Sequence, residues 1–435
     1  MKNSKPDKTT GPAEKKPFNK KTRNIILIIV GVVLLVALTV TAILVINHVK
    51  AVRLEKEMRE RPIKIAFYNV DTKIQEAIKK VLTAEWEAAA PEFACEFAVL
   101  DSSKPVEESL FDDFSIGLLF TDSSTAESVS NYAVKPSNDV YAGMPIAVRG
   151  VTDTSIPLLI DDFEALYNIK LLNANGASPT PSMNDMLKFA KEAAGNRRFT
   201  LGCAGKDDKT LGMLVSACME SMHSETSLDK IKKAVQNAEK ASDTTQIFYT
   251  VLEASGNEAF KSTLNTLCQW RKTGLFHSDW YSMTQQEVEY LMETDIFSVV
   301  FMPLSAHRTV PYRTIEKYTE SFFPEGRVEN ASVGRSLVFS ILTGTVIKNR
   351  YEEKSAISMD MLKTLITLDN QATIANATGL APVSSTAESP DRQASNARLW
   401  AAASEQPREN LYDIFTNPSA RTSFFNELRN YLKMN

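Results

Sequence analysis

One stretch, Ile25 to Ile46 (IILIIVGVVLLVALTVTAILVI), constrains this chain more than any other. It carries no charge. At about 1.5 Å of rise per residue it makes a helix of roughly 33 Å, enough to cross a hydrocarbon core of about 30 Å. A helix of a soluble domain has no need to be apolar on every face for that distance. Its flanks give it a direction. Lys2, Lys5, Lys8, Lys15, Lys16, Lys20, Lys21 and Arg23 precede it, opposed only by Asp7 and Glu14. After it, Lys50, Arg53, Lys56, Arg59 and Arg61 are interleaved with Glu55, Glu57 and Glu60. The denser basic cluster belongs in the cytoplasm, which predicts a single-pass protein of the cell (inner) membrane with its body outside.

Two other uses of such a segment are weaker. A cleaved signal peptide has a shorter apolar core ending in a small-x-small site, and Val40-Thr41-Ala42 lies inside the apolar run. A lipoprotein needs a cysteine just after the run, and the first cysteine is Cys95. The expectation is therefore an uncleaved anchor: a cytoplasmic basic tail over 1–24, a transmembrane helix over 25–47 and a charged stalk over 48–62.

The remaining chain of roughly 370 residues is too long for one core of ordinary size, which implies two lobes. The net charge of −4 combines the basic tail with a clearly acidic body. Nucleic acid is excluded as a partner on that ground, because phosphate binding needs clustered Lys and Arg. Cys95, Cys203, Cys218 and Cys268 form no C-x-x-C pair and have no metal-ligand spacing with His48, His223, His277 or His307. A Cys203–Cys218 disulfide is permitted outside the cell, but buried free thiols are the preferred reading. With no Walker motif, Gly-rich phosphate loop or metal constellation, no cofactor is expected.

Along the body, Ile63–Tyr68 reads as a strand and Thr72–Ala90 as a helix with Ile74, Ala77, Ile78, Val81 and Leu82 on one face. Glu96–Leu100 and Ser115–Phe120 (SIGLLF) are further strands, the latter apolar enough to be buried on both faces. This order signals an α/β domain with a largely parallel sheet. Pro157–Ile160 then reads as a strand and Phe163–Asn173 as a helix. A broken helical region follows to Lys272. Ile296–Met302 (IFSVVFM) and Leu337–Lys348 return as strands, and the end from about Ser358 is helical. The alternation predicts two α/β lobes joined by more than one crossover.

Several landmarks then occur in a familiar order. Ile156-Pro157-Leu158-Leu159-Ile160-Asp161 with Ala165 to Leu172 (ALYNIKLL) matches a "P-l-x-x-D … l-Y-N-k-x-l-f" passage. Asn175-Gly176 and Pro179 to Met186 stand where "a-G … P-x-T-W-d-e-l" is found, with Met183 in place of the tryptophan. Leu267 to Gly274 (LCQWRKTG), Thr284 to Met302, and Gln371 with Gly379 to Val383 (GLAPV) complete the series. Over about Ile63 to Trp400 the chain resembles the extracellular solute-binding proteins of ABC importers, in particular the sugar-binding (family 1-like) group, as a distant member.

The resemblance implies a two-lobed periplasmic-binding-protein-like fold of type II, with lobe 1 over 63–157 and 339–385 and lobe 2 over 158–338 and 386–435. Hinges fall near Pro157 and Val338, and a carbohydrate or similar solute is held between the lobes for an ABC permease. Aromatic faces would meet sugar C–H surfaces and polar groups its hydroxyls. Ligand residues are expected on loops at the carboxyl ends of strands. These are Tyr68 and Asn69 after the first strand, Thr121 and Asp122 with Ser123 after SIGLLF, and Ser305, His307 and Arg308 after IFSVVFM. Turn chemistry alone also explains Asp122 and Ser123. Trp280 and Trp400 are the stacking candidates, each equally readable as a core tryptophan, while Trp270 at helical spacing from Leu264 and Leu267 reads as core.

Two competing functions have sequence features of their own. Ser227-Leu228-Asp229-Lys230, Ser255-Gly256-Asn257 and Lys272-Thr273-Gly274 reproduce the S-x-x-K, S-x-N and K-T-G triplets of penicillin-binding enzymes in order. They lie too close together to enclose the helical domain and sheet edge that the chemistry needs, and Gly274 reads as a helix cap. A non-enzyme is expected. A sensory ectodomain of the same fold, without transport, is the remaining alternative.

Overall fold

The computed structural model describes residues 20–89, 94–149, 153–180, 182–195, 199–224, 226–241, 246–326 and 337–435. It divides into two units, Met1–Arg61 and Pro62–Asn435. The basic tail up to residue 19 lies outside the described residues.

In the first unit one helix runs unbroken from Lys20 to Glu60. The apolar segment and the charged stalk, expected as two elements, are thus one. No helix-breaking residue separates them, and the stalk carries Arg53–Glu57 and Lys56–Glu60 pairs at i,i+4 (3.0 and 3.7 Å). Such exposed pairs add only about 0.3–0.5 kcal/mol each, enough to favour continuation. The helix is long and apolar enough to cross a membrane. Pro62 follows its end and cannot extend it.

Among its described residues the second unit carries nine strands: β1 (Ile63–Phe67), β2 (Cys95–Val99), β3 (Ile116–Asp122), β4 (Ser155–Asn168), β5 (Leu201–Cys203), β6 (Val299–Pro303), β7 (Tyr318–Phe322), β8 (Phe339–Val346) and β9 (Ala381–Pro382). Their order is β2-β1-β3-β8-β4-β6-β5, with β7 and β9 also pairing with β4. β1 pairs parallel with both β2 and β3, as the strand–helix–strand pattern predicts, but β3–β8, β4–β8 and β4–β9 are antiparallel, so the sheet is mixed and not largely parallel. The helix Thr72–Ala89 buries Ala77, Ile78, Val81 and Leu82 as read from its periodicity.

β4 departs from expectation. Instead of a strand followed by a helix, Ser155–Asn168 is one fully buried strand, and only Ile169–Ala174 is helical. Its first half pairs antiparallel with β8, where Asp161 faces Ser340 and Asp162 faces Phe339. Its second half lies between β6 and β7. DDFEALYN has helical propensity, but ladder bonds on both edges override so weak a preference. Three short strands are also absent from the sequence reading: β5, which falls inside the expected helical region, β7 and β9.

β4 also passes between two hydrophobic cores. Ile156, Leu158, Leu159 and Ile160 belong to one, with Ile65, Phe67, Leu118, Phe120 and Ile341. Phe163, Ala165, Leu166 and Tyr167 belong to the other, with Leu201, Leu214, Phe248, Val300 and Phe424. The crossing therefore falls at Asp161–Asp162, beyond Pro157. The chain returns at Leu337–Phe339, where Val338 still belongs to the second core while Leu337, Phe339 and Ile341 belong to the first. The helix Arg392–Ala403 packs Ala394, Ala397 and Ala401 into the first core, so the chain moves to the second core later than residue 385, reaching it by Leu411.

Cys203, Cys218 and Cys268 are buried and Cys95 half-buried, all as free thiols. Lys272 lies in the last turn of the helix Glu258–Lys272 and not on a sheet edge, so the penicillin-binding arrangement does not assemble.

Candidate ligand cleft

Between the two cores lies a cavity of about 460 Å³. Its floor is the crossing point of β4. Asp161, only 4% exposed, accepts from the Ser305 amide at Oδ1 (2.8 Å) and from the Ser305 hydroxyl at Oδ2 (2.6 Å), and Lys209 Nζ lies 2.5 Å from that same Oδ2. Lys209 sits in the first turn of the helix Asp208–Met222, where the positive end of the helix dipole disfavours it. Burial also opposes its charge, but Asp161 and then Asp413 outweigh that and hold its pKa above the usual lysine value. The N-cap of the same helix is Asp207, which accepts from the Thr210 amide at 2.7 Å.

The first core contributes Asn69, Asp71 and Asp122. Asn69 leaves β1 with a φ of 56°, a left-handed conformation that Asn tolerates, and its amide donates to the Tyr412 hydroxyl at 3.0 Å. Asp122 ends β3 and caps the short helix Ser123–Ser128, accepting from the Thr125 amide (2.8 Å) and hydroxyl (3.0 Å). Burial raises its pKa against the opposing pull of those bonds and of Arg421.

The return loop adds Tyr412 and Asp413. The Arg421 guanidinium stands 4.4 Å from the centre of the Tyr412 ring, a cation–π contact. Asp413 accepts from Asn410 at 2.7 Å. Its pKa is pushed up to about 7, first by burial and then by the Asp122 carboxylate, with Lys209 opposing. Arg308 is held bidentate by Asp391 (2.7 and 2.9 Å) and donates to the Gly379 carbonyl at 2.8 Å, so it braces the cleft wall.

Of the residues nominated from sequence, Asn69, Asp122, Ser305 and Arg308 line the cavity. The other six do not, Ser123 being buried in the first turn of its short helix. Tyr68 is buried with its hydroxyl donating to the Lys104 carbonyl at 2.8 Å. Thr121 is wholly buried within β3, and its hydroxyl has no hydrogen-bond partner among the described residues. Trp280 is 1% exposed and stacks on Phe276 with ring centres 4.5 Å apart. His307 is buried with Nδ1 2.7 Å from Glu164 Oε2. Trp400 meets Phe322 edge-on at 5.3 Å and packs against the first core. Each follows from strand and helix periodicity: Tyr68, Thr121 and His307 point away from the cavity, and both tryptophans serve packing.

Sequence reasoning missed Asp161, Lys209, Tyr412 and Asp413. Asp161 lies within a landmark passage, and the expected position of the crossing at Pro157 hid its place in the floor. Tyr412 and Asp413 sit in a late polar segment, NLYDIF, whose aromatic-acid pair was the available signal. Among the described residues, no group of three or more His, Cys, Asp or Glu is disposed to hold a metal ion.

The fold has solved counterparts. Maltose-bound MalE3 of T. maritima superposes with a TM-score of 0.57 at 14% identity, covering 84% of this chain and 98% of its own. A probable secreted solute-binding lipoprotein of Streptomyces coelicolor gives 0.58 at 12% identity, over 86% and 98%. The bacterial solute receptor AcbH, described as having an exclusive preference for β-D-galactopyranose, gives 0.62 at 10% identity, over 85% and 97%. The body thus has the two-lobed solute-binding-protein fold. No family model matches the chain, and no curated protein sequence matches it.

Proposed function

We propose that this protein is a membrane-tethered, extracytoplasmic solute-binding protein that captures a sugar or similar hydroxyl-rich solute between its lobes for an ABC-type permease. One observation carries the reading: the cavity is lined from both cores and floored by the strand that joins them, with Asp161, Lys209 and Ser305 already bonded to one another. A preformed site at a two-lobe crossing suits capture by hinge closure, in which ligand favours the closed state. The likeness in fold to proteins described as binding maltose, oligosaccharides and galactopyranose supports a carbohydrate as ligand. The proposed topology puts the tail in the cytoplasm, membrane contact over 25–47 and the body outside. The anchor then does the work of a lipid tether, restricting capture to the neighbourhood of a permease.

A thermal-shift screen of the full chain in detergent, against monosaccharides, oligosaccharides, polyols and amino acids, tests the reading. A rise in melting temperature with a hydroxyl-rich solute is expected, and a flat response across the whole panel contradicts it.

A further inference from the structure

The cleft lining carries more acidic than basic side chains. Five carboxylates line it (Asp71, Asp122, Asp161, Asp207 and Asp413) against Lys73, Lys209 and Arg308. Arg308 is engaged by Asp391, and Asp207 is committed to its helix cap.

The groups facing Asp413 come from several elements. They are Asp122 at the end of β3, Lys209 on the helix Asp208–Met222 (itself paired with Asp161 on β4) and the Tyr412 hydroxyl beside it, with Ser340 and Asn410 donating hydrogen bonds to Asp413. Arg421 on the final helix acts on Asp122 and Tyr412 from behind the ring. Three buried carboxylates therefore share two cations, and Lys209 is held closest by Asp161. A buried carboxylate without a counter-charge takes up a proton or recruits a cation. In the empty cleft the proton suffices, consistent with the raised pKa of Asp413.

Stacking surface is scarce in the same cavity. Tyr412 is the one aromatic side chain lining it among the described residues, and Arg421 covers one face of its ring. A neutral pyranose gains little there from ring stacking, so polar and charged groups must set the affinity.

We infer that the cleft selects a hydroxyl-rich ligand bearing a protonated amine, an amino sugar or aminocyclitol by class, with its ammonium group set against the Asp122–Asp413 pair. This rests on the solute-capture reading above and narrows it. The ammonium replaces the proton that Asp413 holds in the empty cleft, so binding releases a proton and the buried charge stays balanced. A neutral sugar has no cause to release one.

The test is isothermal titration of the full chain in lipid nanodiscs at pH 6, in two buffers of different ionisation enthalpy. Glucosamine and its β-1,4-linked disaccharide are compared with N-acetylglucosamine, glucose and cellobiose. The amine-bearing rings are expected to bind at least about tenfold more tightly than their neutral counterparts and to release a proton. Asp413→Asn and, separately, Asp122→Asn are expected to reduce that preference by a similar factor. The proton count is read on the unaltered chain, so it holds even if a variant fails to fold. Equal or tighter binding of the neutral rings, or amine binding without proton release, overturns the inference and leaves solute capture standing. Binding by none of the five also overturns it. Capture itself falls only if the wider thermal screen is flat as well.

Discussion

Lys209 Nζ stands 2.5 Å from Asp161 Oδ2, tying the first turn of a second-core helix to the point where β4 leaves the first core. Removing the cation leaves a buried carboxylate with only Ser305 as donor. Breaking such a pair costs about 3–5 kcal/mol. Lys209→Met is therefore expected to lower unfolding free energy by about 3 kcal/mol in urea titrations and to loosen the cleft floor.

Adjacent carboxylates on β4 should respond oppositely to the same change. Asp162 is buried, one of its oxygens has no partner among the described residues, and burial with Glu164 and then Asp161 pushes its pKa well above the usual range. Burial therefore works against its charged form, so Asp162→Asn removes a group that resists ionisation and leaves stability unchanged or raised. Asp161→Asn deprives Lys209 of its closest counter-charge and costs about 3 kcal/mol. Paired denaturant midpoints of the two variants check the contrast.

Asp413 gives stability a pH dependence of definite sign. Its carboxyl pKa is raised to about 7 in the folded chain, against about 3.9 when unfolded. Between those values the folded state binds the extra proton, so this group's contribution is full below about pH 4 and is lost as pH rises towards 7. The ligand-free protein is expected to lose several degrees of melting temperature from this group between pH 5 and 8, and Asp413→Asn to flatten that slope. Differential scanning calorimetry of both proteins across that range is the check.

Within β8, Gly344 has no room for a side chain. A Cβ there would collide with Leu362 Cδ1 and lie 3.1 Å from the Phe120 ring. Gly344→Ala should cost about 1–3 kcal/mol by overpacking, measured as a lower urea midpoint.

Trp280, nominated for stacking, and Tyr412, which lines the cavity, separate packing from binding. Trp280→Ala should cost about 3–5 kcal/mol, because the ring is buried against Phe276. Ligand affinity of the fraction that remains folded should not change. Tyr412→Ala should show the reverse emphasis, weakening binding more than stability.

Much of the fold was legible because periodicity reports burial directly. SIGLLF reads as a strand buried on both faces and is one, and Thr72–Ala89 shows its apolar face as a stripe. The first half of β4 was read as a strand over Pro157–Ile160, but its acidic second half was not legible, since it is stabilised by pairing on both edges and by Lys209, Ser305 and His307, all distant in sequence. The site was legible where it followed the strand-end rule, at Asn69, Asp122, Ser305 and Arg308. It was hidden where it depended on the crossing point and on the return loop, because Asp161 and Asp413 acquire their setting only from tertiary packing.

Capture by closure of the cleft is tested most directly by distance. Nitroxide labels at Lys73 and Gln285, which line the cavity from the first and second cores' sides, report on its opening through double electron–electron resonance. Cys95 is replaced by Ser to leave only buried thiols. With saturating ligand from the thermal screen, the distance distribution is predicted to move to a single shorter population. An unchanged distribution at saturation would contradict capture by closure.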